Sequence, residues 1–225
     1  MGLTAKSTGA SAADKGIKAV KNKENDMIVA LAGNPNVGKS TVFNKLTGMK
    51  QHTGNWPGKT VSSASGELER NGIRIVLVDI PGTYSLMAHS PEEEAAVDFI
   101  CFGGADKVAV VCDATCLERN LNLVLQTAEA FKDTVICVNL LDEAGKKGIE
   151  IDFDALESKT GLKTIGMSAR EGIGIEEFAQ ILTKRSNNAD YLKIDYGEKT
   201  EMAVSILEDS VKPYTAGKLN PRWTA

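Results

Sequence analysis

Eight consecutive residues near the start of the chain combine glycine, lysine and serine at a spacing that suits phosphate binding. They are Gly33-Asn34-Pro35-Asn36-Val37-Gly38-Lys39-Ser40, which fit the pattern G-x-x-x-x-G-K-[ST]. In this pattern the glycines let backbone N–H groups curl around a phosphate, the lysine reaches the β- and γ-phosphates, and the serine hydroxyl ligates Mg²⁺. We therefore predict that the stretch from Gly33 to Thr41 binds the phosphates of a nucleotide, with Lys39 as a catalytic group and Ser40 as a magnesium ligand.

A second motif supplies a carboxylate and a glycine for the same site. Asp79-Ile80-Pro81-Gly82 directly follows an apolar run, which is where P-loop enzymes place a carboxylate that supports Mg²⁺. We expect Asp79 to hold the metal through a water molecule and the Gly82 N–H to face the γ-phosphate. The polar, glycine-rich loop between the two motifs contains Thr60, our candidate for a threonine whose hydroxyl and carbonyl contact Mg²⁺ and the γ-phosphate, with Thr53 as the competitor.

A third motif has the chemistry to select guanine. Asn139-Leu140-Leu141-Asp142 fits N-x-x-D, and a carboxylate accepts hydrogen bonds from the N1–H and the 2-amino group of guanine. Adenine lacks the 2-amino group and presents an acceptor at N1, which Asp142 would repel, so an ATP site is disfavoured. Leu140 stands where guanine-binding proteins usually have lysine, so we expect the base affinity to be modest. Ser168-Ala169-Arg170 is predicted to close the base pocket, with the Ala169 N–H towards guanine O6.

These motifs require strands that end where the motifs begin. Apolar runs predict strands over Met27–Ala32, Ile73–Asp79, Lys107–Cys112, Thr134–Asn139 and Lys163–Met167. Helical patterns are found over Gly38–Gly48, Leu117–Phe131, Phe153–Thr160 and Gly174–Thr183. The alternation predicts an α/β fold: a mainly parallel sheet with helices on both faces and one antiparallel edge strand. With the three motifs in this order, it resembles the P-loop GTPase fold.

The antiparallel edge comes from a predicted hairpin. Asn71-Gly72 separates Val61–Arg70 from Ile73–Asp79 and is typical of a type I′ turn. Residues 49–60 are rich in turn-forming residues and are predicted to be a loop. Ser90-Pro91 followed by three glutamates predicts a further helix, since it offers a cap, a proline at the first helical position and acids in the first turn.

The two ends of the chain differ in composition from the middle. Residues 1–26 are small, polar and basic, and we expect them to form a flexible arm. Residues 27–186 would then form the nucleotide-binding domain. Residues 187–225 contain an apolar pattern at helical spacing over Thr200–Val211 and are predicted to be the start of a helical appendage, which we expect to continue in the natural protein.

Composition excludes several classes of protein. The chain has 225 residues, 42% of them hydrophobic, and a formal net charge of −4, which argues against a nucleic-acid binder that depends on positive charge. Its four cysteines are too few and too scattered for a disulfide framework or a zinc site. No apolar run is long enough to cross a bilayer and the first residues resemble no signal peptide, so we expect this stretch to be soluble and intracellular.

Three longer stretches resemble the cytosolic domain of the ferrous iron transport protein B family. They are Gly54-Asn55-Trp56-Pro57-Gly58-Lys59-Thr60-Val61, Asp79-Ile80-Pro81-Gly82-Thr83-Tyr84-Ser85-Leu86 and Asp113-Ala114-Thr115-Cys116-Leu117-Glu118-Arg119-Asn120-Leu121. The likeness covers residues 27–225. Within it, the part from Tyr196-Gly197-Glu198 to Pro221-Arg222-Trp223 is similar to the beginning of that family's helical domain.

The resemblance implies a function that the residues alone do not indicate. Members of the family are bacterial and archaeal, and they continue into a membrane region implicated in Fe²⁺ uptake. For this chain it implies a regulatory domain that binds GTP and GDP and hydrolyses GTP at the cytoplasmic face of the cell membrane. The implied partners are an attached transmembrane iron-transport region and small accessory proteins, with no nucleic acid, and the helical domain is implied to modulate nucleotide affinity.

Hydrolysis is expected to be slow. Many GTPases place a glutamine directly after D-x-x-G to orient the attacking water, and here that position holds Thr83, which is too short. An arginine finger would contribute about 10³–10⁵ in rate, but we interpret Arg119 as structural. The family resembled includes potassium-stimulated members with asparagine at the position of Asn36, so our hypothesis is that Asn36 ligates K⁺ beside the phosphates. The alternative is that Asn36 only braces the loop.

Two other functions are compatible with the same motifs. One is a soluble GTPase associated with the ribosome or RNA. Such a protein would be distinguished by a basic C-terminal module, and the C-terminal end of this chain has only Lys212, Lys218 and Arg222 as basic residues of that kind. The other is a binding switch that depends on GTP and hardly turns over. Release of phosphate over multiple turnovers separates an enzyme from such a switch.

Overall fold

The protein is seen here as a computed structural model that describes residues 21–49, 51–55, 62–185, 190–215 and 219–225. Within these ranges the strands are β1 (Met27–Gly33), β2 (Gln51–Asn55), β3 (Ser62–Arg70), β4 (Ile73–Asp79), β5 (Lys107–Asp113), β6 (Thr134–Asn139) and β7 (Thr164–Gly166). The helices are α1 (Lys39–Thr47), α2 (Pro91–Phe102), α3 (Leu117–Ala130), α4 (Leu141–Lys146), α5 (Phe153–Thr160), α6 (Ile175–Thr183), α7 (Glu198–Thr215) and α8 (Pro221–Thr224). A 3₁₀ turn at Ala114–Cys116 precedes α3.

The strands form one mixed sheet in the order β2-β3-β4-β1-β5-β6-β7. β1 lies between β4 and β5 and is parallel to both, and β6 and β7 continue the parallel part. β3 is antiparallel to both of its neighbours. Because parallel neighbours need crossover connections, helices cover the sheet, and the predicted α/β fold with a mainly parallel sheet is confirmed.

The hairpin of β3 and β4 turns at Asn71 and Gly72, whose φ angles of 53° and 73° are those of a type I′ turn. The edge of the sheet, however, is β2 and not the antiparallel β3, so the prediction of a loop over residues 49–60 is wrong for residues 51–55. β2 pairs with the start of β3. Its sequence, Gln-His-Thr-Gly-Asn, has no apolar alternation, so hydrogen bonds between the backbones define a strand that a hydrophobic pattern does not indicate.

Both faces of the sheet are buried beneath helices. All residues of β1 are buried, as expected for a central parallel strand. Alternate residues of β1 enter two apolar clusters: Ala30 lies in the cluster with Leu123 of α3, and Leu31 lies in the cluster with Phe178 of α6. The strands of the parallel part therefore have fixed directions, and their carboxyl ends bring the polar motifs to one edge of the sheet.

The segment before β1 is held against the sheet. Asp26 is buried, and its carboxylate accepts hydrogen bonds from the backbone N–H groups four and three positions before it, at 2.8 and 3.1 Å. It also pairs with Arg74 at 3.0 Å. The flexible arm over residues 1–26 stays a prediction, but within it the backbone N–H groups of Asn22 and Lys23 are bound to a buried carboxylate. Residues 1–20 lie outside the described part of the chain.

After α6 the chain returns to α3 and ends in α7 and α8. The predicted helical pattern over Thr200–Val211 lies within α7. Arg222 of α8 binds both carboxylate oxygens of Glu201 in α7, at 2.6 and 2.7 Å, and Trp223 packs on the cluster beside α3. Large apolar side chains of α7 are exposed, namely Met202, Ile206 and Leu207. Across the described ranges, none of the helices combines the length and the apolar character needed to cross a membrane.

Candidate nucleotide site

The loop between β1 and α1 is shaped by glycines at positions that admit no side chain. Gly33 has a φ of 154°, and a Cβ there would lie 2.5 Å from the carbonyl oxygen of Val111. Gly38 caps α1 with a φ of 82°, and a Cβ there would lie 2.4 Å from Nδ2 of Asn139. Both distances are too short for a real Cβ, so both positions require glycine. The first N–H groups of α1 have no partner within the helix, which suits an anion.

Three side chains from α1 and β4 converge beside this loop. The Lys39 ammonium donates to Asp79, and the Ser40 hydroxyl donates to the second oxygen of Asp79 at 3.1 Å. The side chains of Lys39 and Asp79 are only 11% and 13% exposed. The structure thus brings together the lysine, hydroxyl and carboxylate that the sequence assigned to phosphate and metal. Hydroxyl and carboxylate oxygens are hard ligands of the kind that Mg²⁺ prefers.

An open cavity of about 530 Å³ lies over the loop. Its walls are formed by Asn34, Pro35, Asn36, Gly38, Lys39, Ser40, Thr41, Pro81, Gly82 and Glu92. Among the described residues, the buried Oδ1 of Asn34 has no hydrogen-bond partner. A buried acceptor without a donor is costly.

The segment after β4 packs against the phosphate loop. A Cβ on Gly82 would lie 3.1 Å from the backbone nitrogen of Pro35, and the Thr83 N–H donates to the carbonyl of Gly33 at 3.2 Å. The Thr83 side chain is fully buried, and its hydroxyl donates to the carbonyl of Ser85 at 2.6 Å. Gly82 therefore lies at the wall of the cavity, whereas Thr83 packs beneath it.

Asn139, at the end of β6, joins the phosphate loop to the loop after β7. Its Nδ2 donates to the carbonyl of Val37 at 3.0 Å, and its Oδ1 accepts from the Ala169 N–H at 3.0 Å. The residue is 1% exposed. The Ala169 N–H, predicted to face guanine O6, thus donates to the buried amide oxygen of Asn139 in this structure, and its contact with the base stays a prediction.

Asp142 lies at the start of α4, beside the loop after β7. The Ser168 hydroxyl donates to Asp142 Oδ1 at 2.8 Å and lowers the pKa of that carboxyl below its ordinary value. The carboxylate is therefore ionised at neutral pH and can only accept hydrogen bonds. This is the state that a carboxylate needs to read the N1–H and 2-amino group of guanine.

Leu140, which lies between Asn139 and Asp142 in the sequence, has an uncommon backbone conformation. Its φ of 65° lies in the left-handed region, which is unfavourable for a residue with a Cβ. It precedes α4 directly, and its Cδ2 would lie 3.8 Å from a Cβ on Gly38. The leucine thus presents apolar atoms to the phosphate loop at the position where lysine is usual.

Comparison with known proteins assigns these motifs to a family. Residues 27–182 match the family described as "Ferrous iron transport protein B". The chain belongs to this family. The Fe(2+) transporter FeoB of Salmonella typhimurium is 36% identical to it over 189 residues, which cover 82% of this chain and 24% of that protein. The chain thus spans about a quarter of the length of this curated relative.

Solved structures of FeoB confirm the fold of this family member. The cytosolic domain of T. maritima FeoB in its GDP form II is 37% identical, with a TM-score of 0.83, over 88% of this chain and 79% of that chain. The same domain in its GMPPNP form is 38% identical, with a TM-score of 0.82, over 88% of this chain and 78% of that chain. The P-loop GTPase fold of the FeoB cytosolic domain is therefore the fold of this chain.

The structure describes one of the two threonines predicted to contact the metal. Thr60 lies outside the described residues. Thr53, the competitor, is an exposed residue of β2. Asn36, the predicted potassium ligand, is exposed at the cavity with a φ of 67°, so its side chain is available to a ligand.

Two arginines considered in the sequence analysis do not line the cavity over the phosphate loop. Arg170 is 79% exposed and its guanidinium is 4.0 Å from Glu143, so it lies at the rim of the base loop. The Arg119 guanidinium lies 4.7 Å over the ring of Tyr84. Arg119 does not line the described cavity, which agrees with its interpretation as structural.

Glu92 is a cavity residue that the sequence did not single out. It lies in the first turn of α2, whose start is capped by Ser90 through a hydrogen bond from the Glu93 N–H at 3.2 Å. The capping pattern predicted this helix, and acids are common in a first turn because they favour the helix dipole. What brings Glu92 to the cavity is the packing of α2 on the sheet, for which no local pattern gives a signal.

Proposed function

We propose that this chain is the GTP-binding and GTP-hydrolysing regulatory domain of a prokaryotic ferrous iron transporter. The observation that carries the proposal is Asn139, which hydrogen-bonds both to the phosphate loop and to the loop beside Asp142. One ligand with a polyphosphate and a purine would contact both loops. Membership of the FeoB family, and the GDP and GMPPNP forms of the T. maritima domain, support a guanine nucleotide as that ligand.

The phosphates would lie in the cavity over residues 33–41. Lys39 would exchange its contact with Asp79 for the β- and γ-phosphates, and the Gly82 N–H would donate to the γ-phosphate. Ser40 and Asp79 would hold Mg²⁺, since both offer hard oxygens at the cavity. When bound, magnesium neutralises charge on the β- and γ-phosphates. Thr60 is proposed as the further residue that senses metal and γ-phosphate.

The base would be selected by Asp142. Its carboxylate would accept from the N1–H and the 2-amino group of guanine, and the hydrogen bond from Ser168, which lowers the pKa of this carboxyl, further favours the ionised form. Adenine would place an acceptor against the carboxylate and leave both groups unpaired. Sites built on such hydrogen bonds discriminate by about 10⁴-fold.

We propose that hydrolysis is slow and stimulated by K⁺. Thr83 is buried and cannot orient a water at the cavity. Asn36 is exposed in the cavity wall, where its amide oxygen would ligate a monovalent cation beside the phosphates. A cation there would neutralise charge that develops between the β- and γ-phosphates, as an arginine finger does in other GTPases.

The potassium proposal is tested by turnover in KCl and in NaCl. The wild-type chain is expected to release phosphate faster in KCl, and Asn36→Ala is expected to lose that difference while still binding GDP. Equal wild-type rates in the two salts would remove potassium from the mechanism.

The proposal extends to a longer protein that would contain this chain. Residues 27–186 would be the GTP-binding domain, and residues 187–225 would begin a helical domain that modulates nucleotide affinity. A transmembrane iron-transport region would follow and hold the domain at the cytoplasmic face of the cell membrane, with small accessory proteins as partners. The FeoB transporters, of which this chain spans 24%, support this arrangement. A downstream reading frame that encodes hydrophobic helices would test it.

The central proposal is tested by titrating the purified chain with labelled GDP and ATP in the presence of Mg²⁺. Tight binding of GDP with no comparable binding of ATP is expected, followed by release of phosphate from GTP over multiple turnovers. Equal binding of ATP would contradict the role of Asp142. Binding of GTP without turnover would instead identify a binding switch.

A further inference from the structure

The last turn of α2 leaves an aromatic ring exposed. Phe102 ends this helix with 63% of its surface exposed, whereas Phe99 and Ile100 of the same turn are buried in an apolar cluster. Gly103 and Gly104 follow and add no side chain beside the ring. Burial of a phenylalanine ring is favourable, so this surface favours an apolar segment that can reach it.

The chain enters the described structure at the loop that follows α2. Lys21, the first described residue, pairs with a carboxylate oxygen of Asp106 at 2.5 Å, and Asp106 comes four residues after Phe102. The other oxygen of Asp106 accepts from the Ile28 N–H at 2.7 Å, and the Asp106 N–H donates to the Ile28 carbonyl at 2.8 Å. Asp106 is thus fixed to β1, and the ion pair holds Lys21 beside it.

The residues after Lys21 are also bound to the rest of the domain. The Arg185 guanidinium, which lies beyond α6, donates to the carbonyls of Glu24 and Asp26 at 3.2 and 3.4 Å. The Asp26 carboxylate pairs with Arg74 of β4 at 3.0 Å. Residues 1–20, which lie outside the described residues, therefore extend from a fixed point near the start of β1.

The sequence just before Lys21 has one apolar face at helical spacing. Positions i, i+4 and i+7 lie on one side of a helix, and they are occupied here by Ala13, Ile17 and Val20. Lys15 and Lys18 would fall on the opposite side. The pattern is typical of a short helix that packs one face on a partner and presents its charged face to water.

We propose that residues 13–20 dock on the end of α2 as an amphipathic helix, with Ile17 and Val20 against the ring of Phe102. Both segments start at the ion pair, since Ile17 precedes Lys21 by four residues just as Phe102 precedes Asp106. Four residues span at most about 15 Å between Cα atoms. The two apolar side chains can therefore meet without any change in the contacts of residues 21–26.

Charge favours docking within one chain. Residues 1–25 contain five lysines and two acidic residues, a net charge of +3, whereas the whole chain has a net charge of −4, so the remainder carries −7. Asp98 precedes Phe102 by one helical turn and places a negative charge on the same face of α2. The basic segment is thus attracted to the surface that its apolar face would cover.

This docking goes beyond the proposed function, because residues 13–20 precede the stretch that matches the FeoB family and their docking requires no nucleotide. It replaces the expectation of a flexible arm for these residues. The test is hydrogen exchange of the full chain. Amides of residues 17–20 are expected to exchange at least about tenfold more slowly than in a free peptide of residues 1–20. Equal rates in chain and peptide would overturn the proposal without any variant.

Phe102→Ser tests the docking surface. It removes the ring from an exposed position, so the core is untouched, and exchange of residues 17–20 should rise to within about twofold of the free peptide. Tyr214→Ser is the matched control, since it removes an aromatic ring that is 87% exposed on another helix. It should leave the protection unchanged. Protection that survives Phe102→Ser would overturn the assignment of this surface.

Ile17→Ser tests the other side of the contact. It should raise exchange of the same amides as much as Phe102→Ser does, and the double variant should show no further increase, because either change removes the same contact. Effects that multiply in full would show that the two residues act independently and would overturn the contact.

Dilution separates this docking from the covering of Phe102 by a second copy of the chain. An intramolecular contact does not depend on protein concentration, so protection of residues 17–20 should be the same in samples that differ tenfold in concentration. Protection that is lost on dilution would assign the surface to a second copy and would overturn docking within one chain.

Discussion

Asn139 donates from Nδ2 to the carbonyl oxygen of Val37, 3.0 Å away, although the two residues are 102 positions apart. The bond lies in a buried place, where an unmade hydrogen bond costs about 1–3 kcal/mol. It fixes the phosphate loop relative to the end of β6. The distance between the proposed phosphate and base subsites is therefore set by the sheet and by one amide, before any ligand arrives.

Replacing Gly38 should damage this arrangement. In Gly38→Ala the Cβ would collide with Nδ2 of Asn139 at 2.4 Å, so the amide must move and its bonds must lengthen. GDP affinity is expected to fall at least about tenfold, and the free energy of unfolding by about 2–4 kcal/mol, from the left-handed φ and the lost hydrogen bonds. Titration with labelled GDP and thermal unfolding measure the two effects.

Gly72→Ala is the matched control for that variant. Gly72 has a φ of 73°, close to that of Gly38, but a Cβ there would meet nothing within 4 Å. It should lose about 1–2 kcal/mol of stability and keep full GDP affinity. If both variants bound GDP equally well, the contact between Gly38 and Asn139 would have no role in binding.

Asp142→Asn should change the base that is bound. An amide in place of the carboxylate offers one acceptor and one donor, so it loses the 2-amino group of guanine but can donate to the 2-carbonyl of xanthine. GDP affinity is expected to fall about 10- to 100-fold, the value of one charge-assisted hydrogen bond, and XDP affinity to rise. Competition titrations with both nucleotides check this, and Glu143→Gln on the adjacent, non-base residue should alter neither.

Leu140→Lys should tighten nucleotide binding. The aliphatic part of lysine can follow the path of the leucine towards Gly38, and its ammonium would add a positive charge beside the phosphate loop. We expect an increase in GDP affinity of about threefold to tenfold, which is most evident at low salt. Weaker binding at every salt concentration would show that the apolar atoms of Leu140 are themselves required by the base.

The contact between Glu201 and Arg222 should give the C-terminal helices a pH dependence. Hydrogen bonds from Arg222 lower the pKa of Glu201 to about 2, below an ordinary value near 4.5. A lowered pKa contributes stability that is complete above the ordinary value and is lost as the pH falls through the lowered one. Packing of Trp223 should therefore weaken between about pH 4.5 and pH 2.

Emission of Trp223 in a Trp56→Phe background measures this loss. Glu201→Gln should show weakened packing at every pH and no transition in this range, because it cannot titrate. Glu198→Gln, on an exposed residue of the same helix, should keep the transition. A transition that persists in Glu201→Gln would mean that other carboxyl groups control the packing.

Much of the fold could be predicted because its signals are local. The turn at Asn71 and Gly72, the capped start of α2 at Ser90 and the glycines of the phosphate loop each depend on residues within a few positions. Such patterns predicted the type of most elements and, for β4, β6 and α5, both of their ends. The alternation of such elements was then enough to indicate a parallel sheet.

Two of the elements that were missed, β2 and α4, have no local signal. β2 is held by its backbone pairing with β3, which depends on residues far along the chain. α4 has six residues, too few to show a helical period, and it follows Leu140 in a left-handed conformation that favours no regular element. The binding of Asp26 to Arg74 likewise joins residues 48 positions apart. Because no short pattern indicates this contact, the sequence analysis assigned residues 21–26 to a polar arm.

For the candidate site, the sequence indicated which residues take part but not what they contact. The types and order of Lys39, Asp79 and Asp142 followed from the chemistry of phosphate, metal and guanine. The partner of the Ala169 N–H did not, because it depends on the competition between a ligand and the amide oxygen of Asn139. Which acceptor the Ala169 N–H binds depends on how the loops at the ends of β6 and β7 pack.

The burial of Thr83 restricts how a member of this lineage could evolve a faster reaction. A glutamine at this position would have to leave the space that threonine fills and break the bond to Ser85 before its amide could reach the nucleotide. One substitution therefore brings rearrangement of the loop and no immediate gain in rate. Selection for speed would act instead on groups contributed from outside this position, such as a bound ion or another polypeptide.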